Sequence, residues 1–482
     1  MDALTKKARK SVGKTDSEPF GASYATTSSN KERKHRCFLA AILTLNPFKK
    51  MRSRLLFSNW GILSVIGFWL CIIFANVFCQ NELPNKLKLS KTDFAQCYMA
   101  GLSVATGLTD CLYPESQGDV LFLSGTVKEP LHTRLLDRNW NRSTVYIYPP
   151  PFALLLTPFG FLSYPVAFFF FSIINFLAIF IVLLLLQKQL YIFSRKEKPE
   201  RFISPLIFLM GCGLPMVHAV SASNISPLIM LAIALVVNGI LKNQTAAIVF
   251  GYIFAAITKG YSVFWVPLLL IVKKWKIVLW GGVFSILLLI ASIVVLGLEN
   301  HLDFFSRIIP ESICLYWIGD GNIGLPSLFA FLSGKSDGVP IPVPLSLSIV
   351  QYGFLLMTYF LVFRKKHFSV SAWILGLFLS LLIVLLFAPI SWTHYILLLL
   401  PFFPTCLKLN TGRKLLSLYC IGWSLVWFPI GNMIKYLCKL PILGYGRTLG
   451  YICLLIWGVF TLWNLSEDIL QKELSNLDSR HA

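Results

Sequence analysis

The sequence predicts an all-α membrane protein with about twelve transmembrane helices and two large extracytoplasmic loops. Three observations predict this fold class. Of the 482 residues, 56% are hydrophobic, and the mean hydropathy is +0.69. Hydrophobic runs of roughly 17–25 residues, long enough to cross a bilayer as a helix, recur along the whole chain. Lys and Arg residues concentrate between alternate runs, as the positive-inside rule requires.

The N-terminal segment, residues 1–59, is basic, polar and in part disordered by composition. A basic cluster between Lys49 and Arg54 directly precedes the first hydrophobic run, residues 60–79. Positive charge next to a span favours the cytosol, so the N-terminus is expected there.

The transmembrane domain is expected to cover residues 60–465, followed by a cytosolic tail at 466–482. Segments 80–148 and 299–342 are its two large outer loops. With both termini cytosolic, more than two thirds of the 43 Lys and Arg residues lie on the cytosolic side. In a bacterium this membrane would be the inner, cell membrane. The remaining spans are expected at 164–187, 203–220, 225–241, 245–258, 261–272, 277–298, 343–363, 370–388, 395–408, 415–431 and 447–465.

Several classes of function are excluded by motifs that the sequence lacks. It has no GxxxxGK[ST] loop and no GxGxxG followed by an acidic residue, and most cytosolic loops are only a few residues long. The basic residues sit in short loops, which does not favour nucleic-acid binding. The eleven Cys form no CxxC pair, and the outer loops hold no Asp-x-Asp, so neither a metal site nor a cofactor is expected. Chemistry is therefore expected on the outer face.

Two polar residues at outer turns have a structural and a chemical interpretation. Asp93, in LSKTDFAQCYMAGL, begins an expected amphipathic helix on the membrane. It is either a general base with a raised pKa or a helix N-cap. Asn224, in SASNISP, either hydrogen-bonds a sugar hydroxyl or caps the next helix.

Three further residues at membrane boundaries also have two interpretations. Lys259 separates two short hydrophobic arms and is costly there without an anionic partner, although it could instead snorkel to the interface. The stretch FAPISWTHYILLLL carries Trp392, which can stack on a sugar, and His394, which can contact a phosphate. The alternative is an interfacial aromatic belt with an incidental His.

Several stretches, taken in order, resemble one family. They cover roughly residues 90 to 410 and read TDFAQCYMAGLSVATG with LYP, YIYPPPFALLLTPFGFL, SNISPLIMLAIAL, AIVFGYIFAAITKGYSVFWVPLLLIVKKWK, GNIGLPSLFAFLSG and APISWTHY. Together they are similar to the polyprenol-phosphate-mannose-dependent α-(1→2)-mannosyltransferases of glycosyltransferase family 87, which have the GT-C fold.

The resemblance implies an inverting transfer of a hexose from a polyprenyl-phosphate carrier to a glycolipid or glycan hydroxyl. Asp93 matches the family's general base, Lys259 matches the basic residue of its short hairpin, and His394 matches its membrane-boundary His. In the implied reaction, Lys259 and His394 would stabilise charge on the leaving phosphate. Trp392 and Tyr148 would line the sugar or prenyl site. No cofactor is implied, and the partners are these two substrates and the bilayer.

The chain departs from the family pattern at two turns. The usual Gly-Gln-x-Asn turn is Ser-Asn-x-Ser at Ser223 to Ser226, and Tyr395 replaces the second His of SWxHH. The exact sugar and acceptor therefore stay open. The alternative function is a secondary transporter or lipid flippase, although one half of the chain shows no convincing repeat of the other.

Overall fold

Hydrophobic runs fold into helices because a helix satisfies all backbone polar groups within one segment. The computed structural model describes residues 60–78, 93–114, 128, 130–131, 133–134, 146–194, 200–316, 322–334, 341–365, 369–410, 412–428, 445–465 and 469–470. The expected N-terminal segment 1–59, most of the expected loop 80–148 and nearly all of the tail 466–482 lie outside the described residues.

The first half of the described chain is helical, with Pro in the first turn of four of its helices, where the missing N–H has no helical partner to lose. Its helices are α1 Trp60–Phe78, α2 Phe94–Ala105, α3 Pro150–Gly160, α4 Tyr164–Phe193, α5 Glu200–Gly211, α6 Leu214–Ser221, α7 Ser226–Leu241 and α8 Thr245–Lys259, with a 3₁₀ turn at Thr109–Cys111.

The second half adds shorter elements around four long helices. They are a 3₁₀ segment Tyr261–Trp265, α9 Val266–Ile271, α10 Trp275–Leu296, α11 Leu298–Asp303, a π-helical turn Phe304–Ile308, α12 Ile309–Cys314, β1 Leu315–Tyr316, α13 Leu325–Leu332, β2 Ile341–Pro342, α14 Leu345–Arg364, α15 Val370–Phe387, a 3₁₀ helix Thr393–Phe402, α16 Phe403–Lys408, α17 Arg413–Trp427 and α18 Gly446–Asn464. The two strands pair antiparallel, with Leu315 opposite Pro342.

The expected count of twelve spans is not confirmed. Within the described residues, five helices are long and apolar enough to cross a membrane, namely α4, α10, α14, α15 and α18. The bent pair α5 and α6 makes a sixth if it is counted as one span. Helices α2, α7 and α8 are apolar but shorter than 18 residues, below the roughly 20 that a 30 Å hydrocarbon core requires.

Two sequence expectations change in detail. The span expected at 395–408 is a 3₁₀ helix followed by the short α16, because Pro401 has no N–H to donate within the segment. Helix α2 does not lie amphipathic on a surface, since all residues from Phe94 to Ser103 are buried. Asp93 directly precedes this buried helix and therefore lies inside the fold.

The core is built around α15, in which every residue from Ser371 to Phe387 is buried. It packs against α14, α18 and the 3₁₀ helix Thr393–Phe402. By contrast, most side chains of α10 are exposed and apolar. This distribution is typical of a helical membrane protein whose outer helices face lipid.

Helices α2 and α3 cross at two glycines. A Cβ at Gly101 would clash with the carbonyl oxygen of Leu156, and a Cβ at Gly160 would clash with the carbonyl oxygen of Gly101. Small residues allow this close approach of helix backbones in membranes. The contact fixes α2, and with it the position of Asp93.

Gly101→Ala is expected to destabilise the protein by about 1–3 kcal/mol, because the added methyl forces two backbones apart. Activity should fall with it, since Asp93 would move. Gly353→Ala in α14 is the matched control, because a Cβ added there would meet no other atom within 4 Å. The thermal midpoint in detergent measures both, and equal midpoints for the two variants would show that the crossing does not depend on Gly101.

Candidate active site

Asp93 is held at the start of α2 by a segment far away in the sequence. Its backbone N–H donates to the Ala222 carbonyl oxygen at 2.7 Å. Its carboxylate Oδ2 accepts a hydrogen bond from Asn224 Nδ2, also at 2.7 Å. The side chain makes no capping bond to the α2 backbone, so the N-cap interpretation of Asp93 is not supported.

The orientation of the Asn224 amide is fixed by its other partners. The backbone N–H of Ser226 donates to Asn224 Oδ1 at 2.8 Å, and the Ser226 hydroxyl donates to the same atom at 2.6 Å. A backbone N–H can only donate, so the amide oxygen must point to Ser226 and the NH₂ group to Asp93. Asn224 thus supports the start of α7 and orients the Asp93 carboxylate.

Lys259 ends α8 beside the same carboxylate. Its ammonium lies 3.8 Å from the centroid of the Tyr395 ring and 5.6 Å from that of Tyr148. Cation–π contacts of this kind hold a cation without neutralising it. Among the described residues, Lys259 makes no hydrogen bond or ion pair, and Gly260 turns the chain directly after it with φ +69°. The side chain is half-buried against two aromatic rings, and the snorkelling interpretation stays a prediction.

Burial shifts the proton affinities of the two charged groups in opposite directions. Burial raises the pKa of Asp93 above its ordinary value, although the Asn224 hydrogen bond and the charge of Lys259 oppose that rise. Burial lowers the pKa of Lys259 to about 7, although the charge of Asp93 opposes the fall. Burial therefore moves the pKa values of the two groups toward each other.

The predicted stretch around His394 borders this pair. His394 is buried, its ring centroid lies 4.7 Å from that of Tyr395, and its Nε2 has no hydrogen-bond partner. Trp392 is partly exposed, and its indole neither stacks on a ring nor forms a hydrogen bond within the described part of the chain. The structure therefore brings Asp93, Asn224, Lys259 and Tyr148 together with His394 at their edge. The Trp392 indole makes no hydrogen bond or ring contact with these described residues.

Asn322 is a structural residue that the sequence shows only as part of an ordinary turn. Its Oδ1 accepts from the backbone N–H of Ser391 at 2.8 Å, and its Nδ2 donates to the Pro389 carbonyl at 2.7 Å. Ile323 N–H donates to the Ser391 carbonyl at 2.8 Å. The turn at Asn322, in the expected second outer loop, therefore fixes the stretch that carries His394. Asp320, in the same turn, lies outside the described residues.

The site combines a hydrogen-bonded carboxylate, an unpaired cation and aromatic rings. A carboxylate with a raised pKa can accept a proton, and a nearby ammonium can stabilise an anion. Tyr395, a departure from the family pattern, is itself part of the site because its ring makes a cation–π contact with the Lys259 ammonium. Among the described residues, no group of three His, Cys, Asp or Glu side chains could hold a metal ion.

The family model of glycosyltransferase family 87 matches residues 146–389, half of the chain. The chain belongs to glycosyltransferase family 87. No curated protein matches it. Tyr148, Asn224 and Lys259 lie within the matched stretch, whereas Asp93 and His394 lie outside it. This family 87 protein is thus a membrane glycosyltransferase with a sugar donor and an acceptor, and a transporter or flippase is not favoured.

Proposed function

We propose that this family 87 enzyme transfers a hexose, with mannose as the first candidate, from a polyprenyl-phosphate carrier to a hydroxyl of a glycolipid or glycan. The observation that carries this proposal is the Asp93–Asn224 hydrogen bond beside the Lys259 ammonium. It provides a proton acceptor and a cation for a leaving phosphate. A carrier embedded in the membrane also agrees with the absence of a nucleotide-binding motif from the sequence.

The transfer would be a single displacement. Asp93 takes the proton of the acceptor hydroxyl, whose oxygen attacks the anomeric carbon. The bond from that carbon to the carrier phosphate oxygen breaks, and polyprenyl phosphate leaves with the electron pair. One displacement inverts the anomeric centre, so a β-linked donor gives an α-linked product. Because Asn224 occupies Oδ2 of Asp93, Oδ1 is the atom available to the acceptor.

The remaining site residues would bind the donor. Lys259 stabilises the charge that grows on the leaving phosphate, and the unpaired Nε2 of His394 is available to the same group. The Tyr148 and Tyr395 rings, which flank the ammonium, would contact the sugar or the first prenyl units, and so would Trp392, two residues before His394.

The reaction is proposed on the extracytoplasmic face, with both chain termini in the cytosol and, in a bacterium, in the inner membrane. Asp93, Asn224, Lys259 and His394 all belong to turns that the charge pattern assigns to the outer side. Their convergence at one site supports this assignment, because residues on opposite faces of a bilayer would not meet.

A cysteine introduced at the exposed Ser333 is expected to react with an impermeant maleimide added to intact cells. A cysteine at the exposed Gln244, in a turn assigned to the cytosol, should react only after permeabilisation. The protein with its native cysteines alone, including the exposed Cys420, gives the background. Labelling of Gln244→Cys in intact cells would overturn the orientation.

The function itself is tested with purified protein in liposomes, supplied with radiolabelled polyprenyl-phosphate mannose and candidate glycolipid acceptors. Label should move to an acceptor, and an exo-α-mannosidase should release it if the transfer inverts a β-linked donor. Parallel reactions with the corresponding glucose carrier test the sugar. Transfer from a nucleotide sugar but from no polyprenyl carrier would refute the proposed donor.

A further inference from the structure

Arg447, near the start of α18, is a buried cation that the site described above does not use. It is 4% exposed, and its Nη1 donates to Thr393 Oγ1 at 3.2 Å. Its Nε and Nη2 are buried without any hydrogen-bond partner. Within the described residues no carboxylate lies within 4 Å of the guanidinium. The described residues therefore leave most of this cation without a partner.

Such an arrangement is costly unless an anion completes it. A guanidinium does not lose its proton in proteins, so Arg447 cannot relieve its burial by becoming neutral. An uncompensated buried charge is strongly destabilising, and native structures normally pair it. Two N–H directions in a fixed planar fork are suited to two oxygens of a phosphate.

Other polar atoms without a completed hydrogen bond lie on the same two segments, which the Arg447–Thr393 hydrogen bond joins. The Tyr451 hydroxyl, one helical turn after Arg447, interacts with Ser391 on the facing segment, and neither buried hydroxyl has a partner within 3.5 Å among the described residues. His394 Nε2, on the same facing segment, is also buried and unpaired. Each of these groups can donate a hydrogen bond, and a polyanionic oxygen cluster could accept all of them.

We propose that Arg447, positioned by Thr393, binds the phosphate group of a lipid substrate, with the sugar carrier as the favoured source. This assignment rests on the proposed function. Thr393 directly precedes His394, which lies within electrostatic range of Lys259. The two cations therefore approach the His394 segment from different helices, α18 and α8.

The charge balance of the transfer explains why two cations are needed. A sugar-linked carrier phosphate is a diester with one negative charge. After the sugar has left, the phosphate is a monoester that can carry a second charge. Arg447 is always charged and would pair with the single charge of the diester. Lys259 lies beside the reacting carboxylate and would stabilise the second charge, which develops on the phosphate as the sugar leaves.

The test measures binding without turnover, with farnesyl phosphate as the probe and farnesol as its uncharged control. Titration of the probe into purified full-length protein in detergent, followed by thermal midpoint, should stabilise the wild type, and farnesol should not. Arg447→Gln is expected to weaken farnesyl phosphate binding by roughly 10- to 100-fold. Arg413→Gln, at an exposed arginine at the start of α17, is the matched control and should bind as the wild type does.

Two further probes identify the source of the phosphate. Dihexanoyl phosphatidylglycerol represents a lipid headgroup, and inorganic phosphate represents a free anion. If Arg447→Gln loses binding affinity for farnesyl phosphate alone, the subsite belongs to the carrier. If it loses affinity for phosphatidylglycerol alone, the subsite belongs to a phospholipid acceptor. Binding of inorganic phosphate alone, or equal effects of farnesyl phosphate and farnesol, would overturn the subsite.

Two further variants keep the test decisive even if Arg447→Gln fails to fold. Arg447→Lys keeps the charge without the fork, and Thr393→Val removes only the hydroxyl that orients it. Both should bind farnesyl phosphate more weakly than the wild type. Wild-type affinity in all three variants refutes the subsite even if sugar transfer is observed. Conversely, Arg447-dependent binding without sugar transfer from any polyprenyl carrier refutes the proposed function alone.

Discussion

Replacing Asp93 with Asn is expected to lower kcat by about 10²- to 10⁴-fold, the usual contribution of a general base. The variant should fold normally, because an Asn oxygen at this position can still accept the hydrogen bond from Asn224. It removes only the ability to take a proton. Steady-state kinetics at saturating donor, together with the thermal midpoint, separate a chemical effect from a structural one.

Asp110→Asn provides the matched control. Asp110 is exposed in the 3₁₀ turn Thr109–Cys111, 17 residues from Asp93 in the same expected loop, and it lies outside the site. It should retain nearly full activity. An Asp93→Asn protein with a normal midpoint and a turnover near that of the wild type would refute the mechanism, whatever the family membership.

Lys259→Ala should raise KM for the lipid donor by roughly 10- to 100-fold, because a charge-assisted contact to phosphate is lost. Lys259→Arg should retain part of the activity, since the cation is kept but its shape changes. Donor titrations at fixed acceptor concentration measure both values. An unchanged donor KM and kcat in Lys259→Ala would show that the side chain has no role in binding the carrier.

The pH profile of kcat/KM is expected to differ between the wild type and Lys259→Arg. Asp93 must be deprotonated to act, so activity falls as pH decreases through its raised pKa. Lys259 must be protonated, so activity falls as pH rises through its pKa of about 7. In Lys259→Arg the cation does not titrate, so the alkaline decrease should disappear. If it persists unchanged, another group controls the alkaline side.

The helices of this protein were predictable because each one requires a local hydrophobic run, and a run is visible in the sequence. The alternation of basic segments also assigned Asp93, Asn224 and Lys259 to one side. Span length was only partly predictable. The short arms on either side of Lys259 are visible in the sequence, but the sequence does not show that α7 is also too short to cross the membrane in full.

The pairing of the site residues could not be predicted, because it depends on long-range contacts. Asn224 and Asp93 are 131 residues apart, and each alone has a local interpretation as a helix cap. The sequence around Arg447 also gave no indication that this side chain is buried without a carboxylate partner. It lies at the edge of a hydrophobic run, where an arginine usually marks a loop, and its isolation from every carboxylate of the described residues emerges only when α18 is packed against Thr393.

The hydrogen bonds of α18 have a consequence for how the candidate site is supported. The match to the family model ends at residue 389, yet Arg447 in α18 donates a hydrogen bond to Thr393, and the Thr448 hydroxyl donates to the Ile323 carbonyl at 2.9 Å. A helix outside the matched stretch therefore fixes two segments that border the candidate site. Substitutions in α18 are expected to displace Thr393 and the neighbouring His394 while the Asp93–Asn224 hydrogen bond, which does not involve α18, stays in place.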